Sequence, residues 1–121
     1  MLTTEQISYL VFSLVLVGAG SKTLSNTGNA ISALASGTNI GTLTLMDAAN
    51  LTVGSPTVNG VTYTGLNTSN ANISITNSST SPTAITLSAA VQTGTGDLTL
   101  TTNTLSASAA ATGAGTLTVQ P

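Results

Sequence analysis

Seven short runs in which an apolar residue alternates with a hydroxyl or amide side chain constrain this chain more than any other feature. They are Thr42-Leu-Thr-Leu45, Asn50-Leu-Thr-Val53, Val61-Thr-Tyr-Thr64, Asn72-Ile-Ser-Ile-Thr76, Ala84-Ile-Thr-Leu87, Asp97-Leu-Thr-Leu100 and Thr116-Leu-Thr-Val119. Residues two apart lie on one face of an extended strand, so each run can bury an aliphatic row while showing water a polar one. The segments between them carry the residues that turn a chain: Ser55-Pro56, Asn59-Gly60, Ser81-Pro82 and Gly94-Thr-Gly96. Within them Val58-Asn-Gly-Val61 has the dipeptide that a tight hairpin demands. Short strands with such punctuation predict an antiparallel β-sandwich, or a barrel, of about seven strands over residues 37–121.

Ahead of residue 37 the pattern changes. Residues 6–20 form the one strongly apolar run, and Thr3 or Thr4 can cap a helix with Glu5 in its first turn. Leu10, Val17, Leu24 and Ile31 recur every seventh residue, with Ile7, Leu14 and Ala35 on a second heptad track, and Val11 belongs to the same apolar run. A seven-residue period is the mark of helices packed lengthwise. The expected fold is therefore α+β: a long hydrophobic helix over 1–36 that drives polymerisation, then a surface-facing sandwich over 37–121. A helix of that length, roughly 48 Å at 1.5 Å per residue, is too long for one small sandwich to bury, so its partners would be other copies. Read as a secretory signal, the same run lacks a positive start, because no Lys or Arg precedes Lys22.

Charge is almost missing. Among 121 residues the ionisable set near neutral pH is Glu5, Lys22, Asp47 and Asp97, with no histidine and no cysteine. This leaves no disulfides, no thiolate or imidazole metal ligands and no histidine acid–base step, and makes an enzyme the least favoured class. One basic residue gives no electrostatic footprint for nucleic acid or anionic lipid. Hydroxyls take the place of charge, with 25 Thr and 15 Ser. A surface so close to neutral promotes association, which points to a packed assembly or to a coat of sugars. Asp47 and Asp97 read as solvated turn residues, too few for a calcium site. Tyr63 reads as a half-buried strand tyrosine, with sugar contact as its functional alternative.

Met1-Leu-Thr-Thr-Glu5 followed at once by an apolar helix resembles the processed start of a type IV pilin, with a stretch over 5–34 similar to small Tad-type pilins and a Ser/Thr-rich remainder like archaeal adhesive pilins. The resemblance implies a homopolymeric extracellular pilus for adhesion, Met1 as the processed end, and Glu5 as the carboxylate that registers one subunit on the next. It also implies passage through a membrane only before assembly. Subunit packing would then use Glu5, Ile7, Leu10, Val11, Leu14, Val17, Leu24 and Ile31. Asn50, Asn67, Asn72 and Asn77 each begin an Asn-x-Ser/Thr acceptor sequence for N-linked glycans, and O-linked glycans on Ser or Thr are a further means of hydration. No cofactor or metal is expected. Two other readings stay open. Gly41-Thr-Leu-Thr-Leu, Gly96-Asp-Leu-Thr-Leu and Gly115-Thr-Leu-Thr-Val resemble the repeats of a β-solenoid adhesin, but Gly41 lies much further from Gly96 than Gly96 does from Gly115, so they do not form a fixed period. Alternatively, residues 1–12 could be donated as a strand to a neighbouring subunit.

Overall fold

The computed structural model describes residues 10–80 and 84–121, and among these there is no helix. These residues wind instead into a parallel β-solenoid of five stacked coils. Coil one contains β1 (Leu10–Leu16) and β2 (Lys22–Leu24), and coil two contains β3 (Ala30–Ser36) and β4 (Leu43–Asp47). Coil three holds β5 (Leu51–Val53), a hairpin of β6 (Thr57–Val58) and β7 (Val61–Thr62), then β8 (Leu66–Asn67) and β9 (Ile73–Asn77). Coil four is β10 (Ile85–Leu87), β11 (Val91–Gln92) and β12 (Leu98–Thr101), and coil five is β13 (Leu105–Ala107), β14 (Ala111–Thr112) and β15 (Leu117–Gln120). Three parallel sheets run up the stack, in the orders β1-β3-β5-β10-β13, β8-β11-β14 and β2-β4-β9-β12-β15.

Alternation places the aliphatic residues inside, and the register stacks them in columns. Leu43, Ile73, Leu98 and Leu117 form one column, and Leu24, Leu45, Ile75, Leu100 and Val119 the next. Across the core stand Leu34, Val53 and Leu87, beside Leu51 and Ile85. All of these side chains except Leu117 and Val119, which are exposed, are buried and together make one continuous core. Burying a large aliphatic side chain contributes about 1.5–3 kcal/mol before ordering costs, so the columns are the main source of stability.

The expected helix and antiparallel sandwich are both corrected. All seven alternating runs do contain strands, but alternation with period two does not say whether neighbours run parallel or antiparallel. Among the described residues they are parallel at every pairing except β6 with β7. At the front, Val11, Phe12 and Val15 are residues that favour strands, and a strand buried in a parallel sheet reads as a continuous apolar run. The heptad spacing is overridden by a step of one whole coil, Leu10 pairing with Ala30 and Leu14 with Leu34. Leu24 and Ile31 lie in the solenoid's own core, Leu14 packs against that core, and Val17 is exposed at a corner. Leu10 and Val11 are in β1, while Met1, Glu5 and Ile7 lie outside the described residues. Residues 10–12, part of the suggested donor strand, are extended but already paired within the same chain.

Insertions hide the repeat. The steps from Leu10 to Ala30, from Ile85 to Leu105 and from Leu98 to Leu117 are nearly equal, whereas those from Leu43 to Ile73 and from Ile73 to Leu98 are clearly longer. The surplus is the hairpin within residues 55–64 and the extra chain length between Asn77 and Ile85. Gly65 N–H donates to Gly54 O at 2.9 Å and closes the hairpin's neck, so the coil path continues as if the insert were not there. Gly65 has φ +70°, and a Cβ on it would strike the Ala90 carbonyl.

Candidate functional site

Nothing in the described residues gathers into a reactive centre. No group of three or more Asp, Glu, His or Cys among them could hold a metal, and no helix is long and apolar enough to cross a membrane. Two cavities lined by described residues have volumes of about 40 and 90 Å³, well below the roughly 300–1,000 Å³ of a small-molecule site. What the fold offers is surface. Thr23, Thr44, Ser74, Thr99 and Thr118 form an in-register ladder on the outer side of one sheet, and Thr52, Thr86 and Ser106 form another. Neighbouring rungs are about 4.8 Å apart because the strands are.

Among the described residues, the hairpin is the strand pair that leaves the stack. Thr57 pairs with Thr62 and Val58 with Val61, and the two threonine hydroxyls bond at 2.8 Å. Asn59 and Gly60 take positive φ of 52° and 77°, the mirror-image turn expected from this dipeptide. Val61 is half exposed and Tyr63 half-buried, its N–H donating to Pro56 O at 3.0 Å. This gives the projection a small apolar tip and an aromatic at its root.

The acceptor asparagines separate by environment. Asn77 is buried, and its amide nitrogen donates to Ala49 O at 2.7 Å and Ala84 O at 3.2 Å, so a glycan there would break a corner of the core. Asn67 is half-buried and its amide nitrogen donates to Gln92 Oε1 at 2.7 Å. Asn50 and Asn72 are exposed and use their carbonyl oxygens, which accept from Ser79 Oγ at 2.7 Å and Asp97 N–H at 2.8 Å. Their nitrogens carry no hydrogen bond among the described residues, which leaves these two positions open to modification.

Asp97 is exposed as expected, accepting from Thr116 N–H at 2.8 Å, but Asp47 is buried. It belongs to a corner ladder. Asn26, Asp47 and Asn77 each accept on Oδ1 from the N–H two positions on, from Gly28, Ala49 and Ser79. Thr102 ends the series by donating to Thr104 O. Asp47 Oδ1 also accepts from Ile31 N–H at 2.8 Å, while its Oδ2 is buried with no partner among the described residues. Oδ2 stands where Asn77 has a donating nitrogen. Burial raises the Asp47 pKa above the ordinary 3.8, against the smaller lowering by its backbone hydrogen bonds. A legible signal existed for this burial: Asp47 ends Leu-Thr-Leu-Met as Asn77 ends Ile-Ser-Ile-Thr.

Neither protein-family models, nor characterised proteins, nor solved structures match this chain. The pilin resemblance of its first residues gains no support there, and the helix it relied on is replaced by strands over the described part of 1–36.

Proposed function

We propose that the chain is a β-solenoid module of a cell-surface or secreted adhesin-type protein, with a structural and presenting role. The observation that carries this reading is the five-coil parallel stack, whose outer faces are ladders of uncharged hydroxyls interrupted by one projecting hairpin. A stack of this kind is stiff along its axis because each coil is bonded strand by strand to the next. Hydroxyl faces hydrate the rod without charge, so its solubility does not follow salt or pH. Glycans at Asn50 and Asn72 would add to that hydration, and the hairpin with Val61 and Tyr63 is the natural contact point for a surface.

Fab fragments raised against the purified chain test it on the cells that make the protein. They should label intact cells and reduce attachment of those cells to their substratum. Labelling that appears only after permeabilisation, or attachment undiminished at saturating Fab, would overturn the reading.

A further inference from the structure

Of the ten asparagines in this chain, Asn59 is the one followed by glycine. The succession matters chemically. The amide carbon of an asparagine side chain is open to attack by the backbone nitrogen of the next residue, and a Cβ on that residue obstructs the approach. Whether the attack occurs in a folded protein depends on two further conditions: the side-chain amide must be free, and so must the attacking N–H.

The stack denies these conditions where the chain is built into it. Asn77 is buried, its amide nitrogen is held by the carbonyls of Ala49 and Ala84, and the N–H of Ser78 is committed to Asp47 O at 2.9 Å. Asn50 and Asn72 are exposed, but the nitrogens that would attack them, those of Leu51 and Ile73, donate to Ala84 O and Asp97 O at 2.9 Å as rungs between coils. Asn39 precedes the buried Ile40, whose N–H donates to Asn67 O at 3.1 Å. Asn59 differs on every count. It is exposed at the hairpin tip, and among the described residues neither its side chain nor the Gly60 N–H has a hydrogen-bond partner. Gly60 is exposed as well, and a Cβ built on it would meet nothing within 4 Å, so the space around the attacking nitrogen is open.

We infer that Asn59 is a self-modification site, whose amide converts to a carboxylate at the tip of the hairpin. The Gly60 nitrogen gives up its proton and bonds to Asn59 Cγ. The Cγ–Nδ2 bond breaks, Nδ2 leaves with that proton's equivalent as ammonia, and a five-membered succinimide remains. Water then adds to one of the two ring carbonyls. Breaking the ring bond at Cγ gives aspartate, whereas breaking it at the main-chain carbonyl carbon gives isoaspartate, with the main chain running through Cβ and Cγ. One water is consumed and one ammonia released, with no oxidant or reductant.

The two products differ in what they do to the turn. Aspartate keeps it, since Asp-Gly takes the same mirror-image conformation. Isoaspartate lengthens the backbone between Val58 and Val61, which breaks their pairing and separates the Thr57 and Thr62 hydroxyls. Both add one negative charge to a chain with a formal net of −2, close to the exposed Val61. The bond from Gly65 N–H to Gly54 O closes the neck and confines the change to the hairpin. This chemistry proceeds whether or not the hairpin touches a surface.

The purified full chain, held folded in mildly alkaline buffer, tests it by anion exchange and by peptide mapping with mass spectrometry. A more acidic species should accumulate, carrying one added negative charge and a mixture of aspartate and isoaspartate at residue 59. Far-ultraviolet circular dichroism should stay that of the stack. Asn59→Gln, whose longer side chain closes such a ring poorly, should yield no such species, and Asn59→Asp should elute with the aspartate product. The same chain unfolded in guanidinium is the reference for fold protection. Conversion of Asn77 ahead of Asn59 in the folded chain, an equal acidic species from Asn59→Gln, or an Asn59 still intact in the folded chain once the unfolded one has converted fully would each overturn the assignment.

Discussion

Replacing Asp47 with Asn should make the protein more stable, although it removes one of its few charges. Asp47 is 2% exposed, and its Oδ2 has no donor among the described residues. The same corner one coil later is filled by Asn77, whose nitrogen donates to the carbonyls of Ala49 and Ala84. In Asp47→Asn the shape is kept, the Oδ1 bonds from Ile31 and Ala49 remain, and the new nitrogen points as that of Asn77 does. Leaving a buried polar group unpaired costs about 1–3 kcal/mol, more when it is charged. Relief of that cost corresponds to a rise of roughly 4–15 °C in Tm for a chain of this size.

The pH dependence has a defined sign. Because burial raises the Asp47 pKa in the folded protein above 3.8, the folded state holds this proton more tightly than the unfolded chain does. Its contribution to stability is therefore full below about pH 3.8. It falls as pH rises past that value and levels off once the folded group has ionised, so this carboxyl favours acid. Thermal unfolding followed by circular dichroism at pH 3 and pH 7 checks both points. The original protein should lose stability between them, and Asp47→Asn should lose less. A variant with Tm equal to or below the original at pH 7, or with the same pH slope, would refute the argument.

Two further outcomes follow from the close corners and the insert. Gly96→Ala should abolish or severely reduce folded yield, since its Cβ would enter the Ala71 carbonyl. Gly54→Ala, whose Cβ would rest at 3.6 Å from Thr52 Cγ2, should change Tm by no more than a few degrees; proteolytic resistance of the two variants compares them directly. Deleting residues 55–64, so that Gly54 joins Gly65 across a neck already closed at 2.9 Å, should leave the β-sheet circular dichroism and cooperative unfolding intact. Loss of the folded state would mean that the hairpin is a structural part of coil three.

The seven alternating strands of residues 42–119 were legible because alternation is a local property, and so was the Asn59-Gly60 hairpin, which needs only its own two dihedral pairs; β8, β11, β13 and β14, two or three residues each, are too short to show a pattern. The coil was not, because its period is a property of the path between strands. Gly41, Gly96 and Gly115 do mark one corner, but the member between them is Ala71. The hairpin and the extra chain length between Asn77 and Ile85 also stretch two of the steps, Leu43 to Ile73 and Ile73 to Leu98, beyond the rest. For β1 to β3 the same apolar residues satisfied a heptad by coincidence of spacing, and the strand-forming Val11, Phe12 and Val15 were outweighed by the helix-like length of the run. Of the candidate site, Asn72 and Asn50 were visible as acceptor sequences. The burial of Asp47 and Asn77, by contrast, depends on partners 16 and 28 residues earlier in the chain, Ile31 for the one and Ala49 for the other.

Each layer of this molecule touches only the one before and the one after, which gives it a directional response to force. Load applied along the stack axis is resisted one strand-to-strand seam after another, each seam a bundle of backbone bonds loaded together. Drawn out by its chain ends, the thread would peel turn by turn, releasing near-equal lengths at each rupture except at the third turn, where the inserted loop adds slack. In a force trace that longer interval would stand as a fingerprint of where the hairpin sits.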